Sequence, residues 1–273
     1  MTAEPSWLTA DANVDEPSIA RLYDYLLGGT HNLEIDRKLA RKVLAAAPGV
    51  VLLMRENRKF LRRMVRHAVE SGVDQFLDIG AGIPTRGSVH ETAQSINPNV
   101  RIAYIDVDHV AIAHGAALLA DNPNATSVLA SFLDPKSVLD NSHITALIDL
   151  NRPVAVLILN LIHFFSDDKV LPALAEFRDR VAPGSLLAIS TATGTNDLAN
   201  AISDIYLEEY GDFAVRTREQ ILALFGDFEL LEPGLVFPTQ WRPERNKDVG
   251  AHPERYSSVV GVARKTASSG GQS

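Results

Sequence analysis

The chain has 273 residues, is 46% hydrophobic and 22% charged, and carries a formal net charge of −8. That length and balance suit one large domain, or one domain with a substantial extension, and the negative charge argues against wholesale nucleic-acid binding. There is no cysteine, which excludes disulfides, thiolate catalysis and sulfur-ligated zinc.

The eight histidines are scattered without HExxH or comparable spacing, so no metal site is expected. Residues 1–17 are polar and slightly acidic and read as a disordered start with no secretory signal. The longest apolar run, Val154 to Leu159, is far too short to span a bilayer. A soluble cytoplasmic protein is the expectation, with no membrane partner.

Ser18 is placed to cap a helix from Ile19 to Leu27, which Gly28-Gly29 stops. Tyr23 to Gly29 reads either as a short amphipathic helix with a glycine end or as a lid whose tyrosines stack on a ligand. His31 and Asn32 follow in a loop and are expected to line the cleft below. Helices are expected over Glu34–Ala46 and Val50–Glu70. On the latter, Arg55, Lys59, Arg62 and Arg66 share one face. Most of these cations read as a solvated surface. One arginine, Arg58, is a candidate partner for an anionic group on a ligand.

Strands are expected at Gln75–Ile79, Val100–Ile105, Thr126–Ala130, Val154–Leu159 and Ser185–Ser190. Helices follow them near 88–95, 109–120, after Asp134-Pro135, over 168–181 and from Asn196 or Asp197 to Tyr210. Thr217 and Gln220 have capping-box spacing for a helix to Phe225. Two closing strands are expected, Phe228–Leu231 (with the pattern open to an extension to Val236) and Ser257–Ala263, before a Ser/Gly-rich tail. Alternating strands and helices specify an α/β fold with a doubly wound, mostly parallel sheet. The three helices before the first strand form an N-terminal helical cap. The expected division is a disordered 1–17, a cap over 18–72, a ligand-binding domain over 73–265 and a disordered 266–273.

The chemistry concentrates at Phe76-Leu77-Asp78-Ile79-Gly80-Ala81-Gly82. Glycines after a strand permit positive φ and close approach of a ligand to the backbone. The next glycine, Gly87, comes too late for the dinucleotide pattern GxGxxG, and no GxxxxGK[ST] occurs. Both facts count against NAD and ATP. Asp106 ends the second strand, where an acid accepts hydrogen bonds from two ribose hydroxyls, with Asp108 as a competitor. Ser131 is placed to meet an adenine edge, with Phe132 as an apolar wall. This is the arrangement of a class I S-adenosylmethionine-binding fold, in which the acid of the first motif, here Asp78, helps to hold the methionine ammonium.

The segments YDYLLGGTHN, FLDIGAGIPT, AYIDVD, LNLIHFF and PGLV…WRP resemble the actinobacterial S-adenosyl methyltransferase family of unassigned substrate, from about Ser18 to Lys265. The resemblance implies a Rossmann-like sheet of seven strands with the last antiparallel, and S-adenosylmethionine as cofactor. It points to Asp78, Gly80, Gly82 and Asp106, with Val107 beside it, for the cofactor. It points further to Ser131, Asn160 and the Tyr23–Gly29 stretch. Close relatives often have an acid after the third strand, where this chain has Ser131.

His163 lies just past the fourth strand and is the candidate base, because an ordinary histidine titrates near neutrality. Its alternative is a packing residue beside Phe164 and Phe165. Trp241 and Arg242 either wall an acceptor pocket or anchor a loop. The expected activity is methyl transfer to a small-molecule acceptor, and the alternative is a non-catalytic regulatory protein that senses S-adenosylmethionine. The oligomeric state is left open, with a homodimer as one option.

Overall fold

The computed structural model describes residues 7–8, 11–84, 87–194 and 197–267, with only the backbone of 197 and 198. Residues 1–6, 9–10, 85–86, 195–196 and 268–273, among them Asn196, lie outside the described residues. The strands are β1 (Gln75–Ile79), β2 (Arg101–Asp106), β3 (Ala125–Leu129), β4 (Ala155–Leu159), β5 (Leu186–Ala192), β6 (Glu229–Leu230) and β7 (Ser258–Arg264). They form one sheet in the order β3-β2-β1-β4-β5-β7-β6. The first five are parallel, and β7 runs antiparallel to both β5 and β6.

Side chains alternate across the pleat, so each strand feeds two layers. Leu77, Ile105, Val156, Ile158 and Ile189 face one core layer; Phe76, Ile102, Tyr104, Leu157 and Ala188 face the other. The central strands are therefore apolar throughout, as a sheet covered on both faces requires.

Helices α1 (Ile19–Leu26), α2 (Glu34–Ala46) and α3 (Val50–Glu70) precede the sheet. Five helices then alternate with strands: α4 (Val89–Gln94), α5 (His109–Leu118), α6 (Pro135–Leu139), α7 (Ser142–Thr145) and α8 (Asp167–Arg180). The last two are α9 (Asp197–Tyr210) and α10 (Arg218–Ala223). Thr217 and Gln220 form the expected capping box of α10. The pattern does not show α7, a single turn whose cap is the Asn141 side chain accepting from the His143 amide.

Helix α3 serves two layers. Its second half, from Phe60 through Ala68, packs on the sheet, whereas Val50 and Met54 join the cap. The cap is larger than its three N-terminal helices, because Ile202, Tyr206 and Phe213 share its apolar cluster. A buried ion pair fixes its entrance: Arg21 Nε donates to Asp36 at 2.8 Å, and Asp36 also accepts from the Ser18 and Leu33 amides. Ser18 caps α1, and its hydroxyl donates to Asp108, which ties the cap to the turn after β2.

The closing strand β6 is shorter than its pattern. Leu231 donates to Val262, but Pro233 has no amide hydrogen, and the chain turns at Gly234 before Val236 pairs again with Val260. Trp241 is fully buried and meets Phe60 edge-on at 5.4 Å. Arg63 donates to the Trp241 and Pro238 carbonyls at 2.9 and 2.6 Å. Trp241 therefore anchors the late loop on α3. Part of the basic face of α3 is paired too: Lys59 meets Glu56 at 2.7 Å and Arg66 meets Glu244 at 3.7 Å.

Candidate active site

The strand order reverses between β1 and β4, and there the carboxyl ends of β1, β2, β3 and β4 open into one cleft under α1 and α3. It encloses about 1020 Å³ of atom-free space, including its mouth. Tyr23, Arg58, Asp78, Gly80, Gly82, Asp106, Val107, Ser131, Phe132 and Asn160 all line it. Ten residues scattered over more than half the chain are thus brought to one place.

The glycine turn has the expected geometry, with φ of +71° at Gly80 and +65° at Gly82. At Gly80 a Cβ would also lie 2.9 Å from Leu161, so both conformation and packing demand glycine. Asp106 sets the turn: its carboxylate accepts from the Gly82 amide at 2.7 Å and from the Asp108 amide at 2.9 Å. Each oxygen retains a lone pair for a further donor. Asp108 is occupied elsewhere, capping α5 through the Ala111 amide and accepting from Ser18.

Asp78 differs from Asp106. It is buried in the cleft, yet its carboxylate accepts no hydrogen bond from the described residues. Burial pushes it up from 3.8 to about 7, and the Asp106 charge adds to this, while the Arg58 guanidinium pulls the other way. Arg58 Nε is buried without a partner, and so is Asn57 Oδ1. The Tyr23 hydroxyl donates to the Met54 carbonyl at 3.3 Å. Burial raises its phenol, offset in part by Arg58, Asn57 and Asn160. Asn160 holds a left-handed φ of 55°, and its amide donates to Ser190 Oγ at 2.9 Å.

Three expected residues stand elsewhere. Gly29 packs on the Asp24 carboxyl group, where a Cβ would lie 2.0 Å from Asp24 Oδ1. Asn32 donates to the same carboxylate, and its carbonyls accept from Arg37; the His31 ring lies 4.2 Å from that of His114, tilted against it. The Asp24 carboxylate organises this loop, which does not line the cleft. Its short-range acid–amide pattern was the available signal.

His163 lies outside this cleft, in an adjoining apolar chamber. Burial and the nearby Arg216 hold its imidazole down to about 3, which corrects the expectation of an ordinary titration. The Ala192 amide donates to Nδ1 at 3.4 Å, so the ring proton sits on Nε2. Magnetic resonance should show a His163 ring that does not titrate between about pH 5 and 9, assigned by its absence from His163→Gln. A midpoint near 6.5 would contradict the burial argument.

The cleft also contains residues that sequence reasoning missed, among them Asn57, Leu61, Leu161 and Phe165. Asn57 had a signal: it lies on the buried stripe of α3 with Phe60, Leu61 and Met64, where a polar residue needs a partner.

A sequence profile of the S-adenosyl methyltransferase family matches residues 5–266. The chain belongs to that family. This S-adenosyl methyltransferase is similar to a crystal structure of a methyltransferase candidate from Thermobifida fusca, with 38% identity, 96% of this chain and 100% of that chain covered, and a TM-score of 0.92. It is similar to a DUF574 family protein from Streptomyces avermitilis at 33% identity, covering 92% and 98% of the two chains with a TM-score of 0.87. The carbon methyltransferase CurJ shares the fold at 16% identity and a TM-score of 0.53, with 90% and 67% covered. No curated protein matches the chain. The cofactor of this methyltransferase is S-adenosylmethionine. Among the described residues no helix is long and apolar enough to cross a membrane.

Proposed function

We propose that this methyltransferase acts on a small-molecule acceptor enclosed beneath the helical cap, and that Asp78 and Arg58 hold the amino-acid end of its cofactor. The observation that carries the assignment is the buried Asp78 carboxylate, unpartnered and close enough to Arg58 to feel its charge. A buried acid without hydrogen bonds is costly until a cation meets it. A ligand bearing both an ammonium and a carboxylate satisfies Asp78 and the buried Arg58 Nε together.

The remaining cleft residues divide the rest of the cofactor. The free lone pairs of Asp106 take the ribose hydroxyls, with Val107 beside them. Phe132, stacked against Phe165 and Phe177, gives the base a rigid apolar wall, and Ser131 offers it a hydroxyl. The Gly80–Gly82 turn lets the ligand approach the backbone, and Asn160 with Tyr23 closes the side toward the cap. When bound, S-adenosylmethionine would supply a sulfonium methyl group, its sulfur leaving with the carbon–sulfur electron pair as the acceptor lone pair bonds the carbon and any proton on the acceptor atom passes to solvent. The protein's part is to hold the two reactants in line and to exclude water.

His163, the candidate base, is neutral at physiological pH with its proton on Nε2. In this reading it serves the acceptor side as a hydrogen-bonding wall. Enclosure under the cap and the net charge of −8 support a small acceptor with no nucleic-acid partner.

Calorimetry on the full chain tests the cofactor side. S-adenosylmethionine and S-adenosylhomocysteine should bind and NAD should not; tight NAD binding without either sulfur ligand would overturn the assignment. Incubation with methyl-labelled donor and a fractionated cell extract tests the acceptor. Label should enter the low-molecular-weight fraction, and label confined to protein or nucleic acid would refute a small acceptor.

A further inference from the structure

The cofactor cleft opens onto a second cavity, which shares Ile19, Tyr23 and Asn160 with it and spans about 640 Å³ of atom-free space, the open solvent at its mouth included. We infer that this chamber is the acceptor site and that it takes an uncharged aromatic molecule bearing a polar group for Ser258. The inference rests on the proposed methyl transfer and names its substrate class.

Four observations support it. First, among the described residues none lining the chamber carries a charge. Its lining includes Leu22, Leu53, Met54 and Ile202 from the cap, and its single titratable nitrogen base, His163, is neutral. A charged acceptor would lose its hydration there with nothing to replace it.

Second, one side of the chamber is built of rings. Phe164 lies 5.3 Å from Tyr206 and 5.7 Å from Phe213, and His163 lies 4.5 Å from Phe164, all tilted or edge-on. Ring edges and faces at these angles favour a further aromatic ring over a saturated one.

Third, Ser258 Oγ is buried, lines the chamber and has no hydrogen-bond partner. Buried hydroxyls in folded proteins are nearly always satisfied, so an orphan in a cavity that adjoins the cofactor cleft marks where a ligand's polar group belongs. Ser258 is the register partner of Ala192, whose amide holds His163 Nδ1. Ser258 and the His163 ring therefore stand at the same wall, formed by β5 and β7. Fourth, Tyr23 and Asn160 lie on the boundary with the cofactor cleft, which is where the methyl-accepting atom has to arrive.

Naphthalene-2,6-diol is a suitable probe, neutral and planar with a hydroxyl at each end. Calorimetry or fluorescence titration on the full chain with S-adenosylhomocysteine present should show saturable binding. The carboxylate analogue 6-hydroxy-2-naphthoate and the cation 6-(aminomethyl)-2-naphthol should each bind at least about 30-fold more weakly. The saturated decahydronaphthalene-2,6-diol should also bind more weakly. Ile202→Trp should fill the chamber and abolish diol binding. Ser258→Ala removes only the hydroxyl, and should cost about 5-fold; it carries the test if the tryptophan variant fails to fold.

Absence of diol binding, equal binding of a charged analogue or of the saturated diol, or binding untouched by Ser258→Ala would overturn the inference. Failure of wild-type protein to bind S-adenosylhomocysteine would instead overturn the cofactor assignment, which separates the two.

Discussion

Asp78→Asn should weaken S-adenosylhomocysteine binding by at least about 30-fold while making the ligand-free protein more stable. Both effects follow from one feature, a buried carboxylate with no hydrogen bond of its own. Asparagine cannot balance the ligand's ammonium, and losing one side of a buried charge pair costs roughly 2 kcal/mol or more. In the free protein the same carboxylate is a liability, since its value of about 7 lies well above the ordinary 3.8. Between those two values the folded state binds more protons than the unfolded state. Stability therefore falls as pH rises through that window and levels off above about 7. Asparagine removes the penalty, and a gain of roughly 2 kcal/mol, or about 5 °C in Tm, is expected at pH 8.

Binding carries the opposite dependence. Wild-type affinity should drop about tenfold per pH unit below about 7, as the ligand must first displace the Asp78 proton. The asparagine variant should lose this component. Thermal unfolding and calorimetry across pH check both halves. A variant that binds as tightly as wild type, or is less stable than it at pH 8, would show that Asp78 has a structural role instead.

Asp36→Asn should destabilise the protein by roughly 3 kcal/mol and loosen the cap over the cleft. Arg21 and Asp36 are both almost wholly inaccessible, at 1% and 0% side-chain exposure. Neutralising Asp36 leaves the Arg21 charge buried, with Asp108 3.6 Å away as its remaining acid. The same change disturbs the acceptor for the Ser18 and Leu33 amides, which set the entry to α1 and α2. Since α1 carries Ile19 and Tyr23 over both cavities, S-adenosylhomocysteine affinity should fall as well. Denaturant unfolding and calorimetry measure these effects. The double variant Arg21→Met with Asp36→Leu removes both charges of the pair and should recover part of the loss, but not all of it, because the two amides still lack an acceptor. A single variant within about 0.5 kcal/mol of wild type would remove the pair from any structural role.

The parts of the site legible in the sequence are those governed by local rules. Gly80 and Gly82 follow an apolar strand and adopt the left-handed backbone for which glycine is suited. Asp78 and Asp106 lie near the ends of neighbouring strands, where the period-2 pattern and strand order put them in one cleft. The capping box at Thr217 and the anchor at Ser18 were equally local. Gly29 and His163 show where that reasoning stops. Glycine at position 29 reads as a ligand contact, yet the Asp24 carboxyl group lies where its Cβ would be. Nothing near His163 in the chain shows that Arg216, more than fifty positions later, lies close and lowers its basicity.

The sequence by itself determined the α/β class, the run of alternating strands and helices, and a glycine turn flanked by two acids that suits a nucleoside with an amino-acid tail. These follow from hydrophobic period, turn chemistry and residue order, all properties of a short window of chain. Tertiary structure alone decided which residues have partners and which do not. Burial leaves Asp78 unpaired, holds His163 neutral, sends Trp241 into the core and encloses an apolar chamber between the cap, β5 and β7. Desolvation and hydrogen-bond satisfaction depend on atoms brought together from distant segments, so no local pattern encodes them.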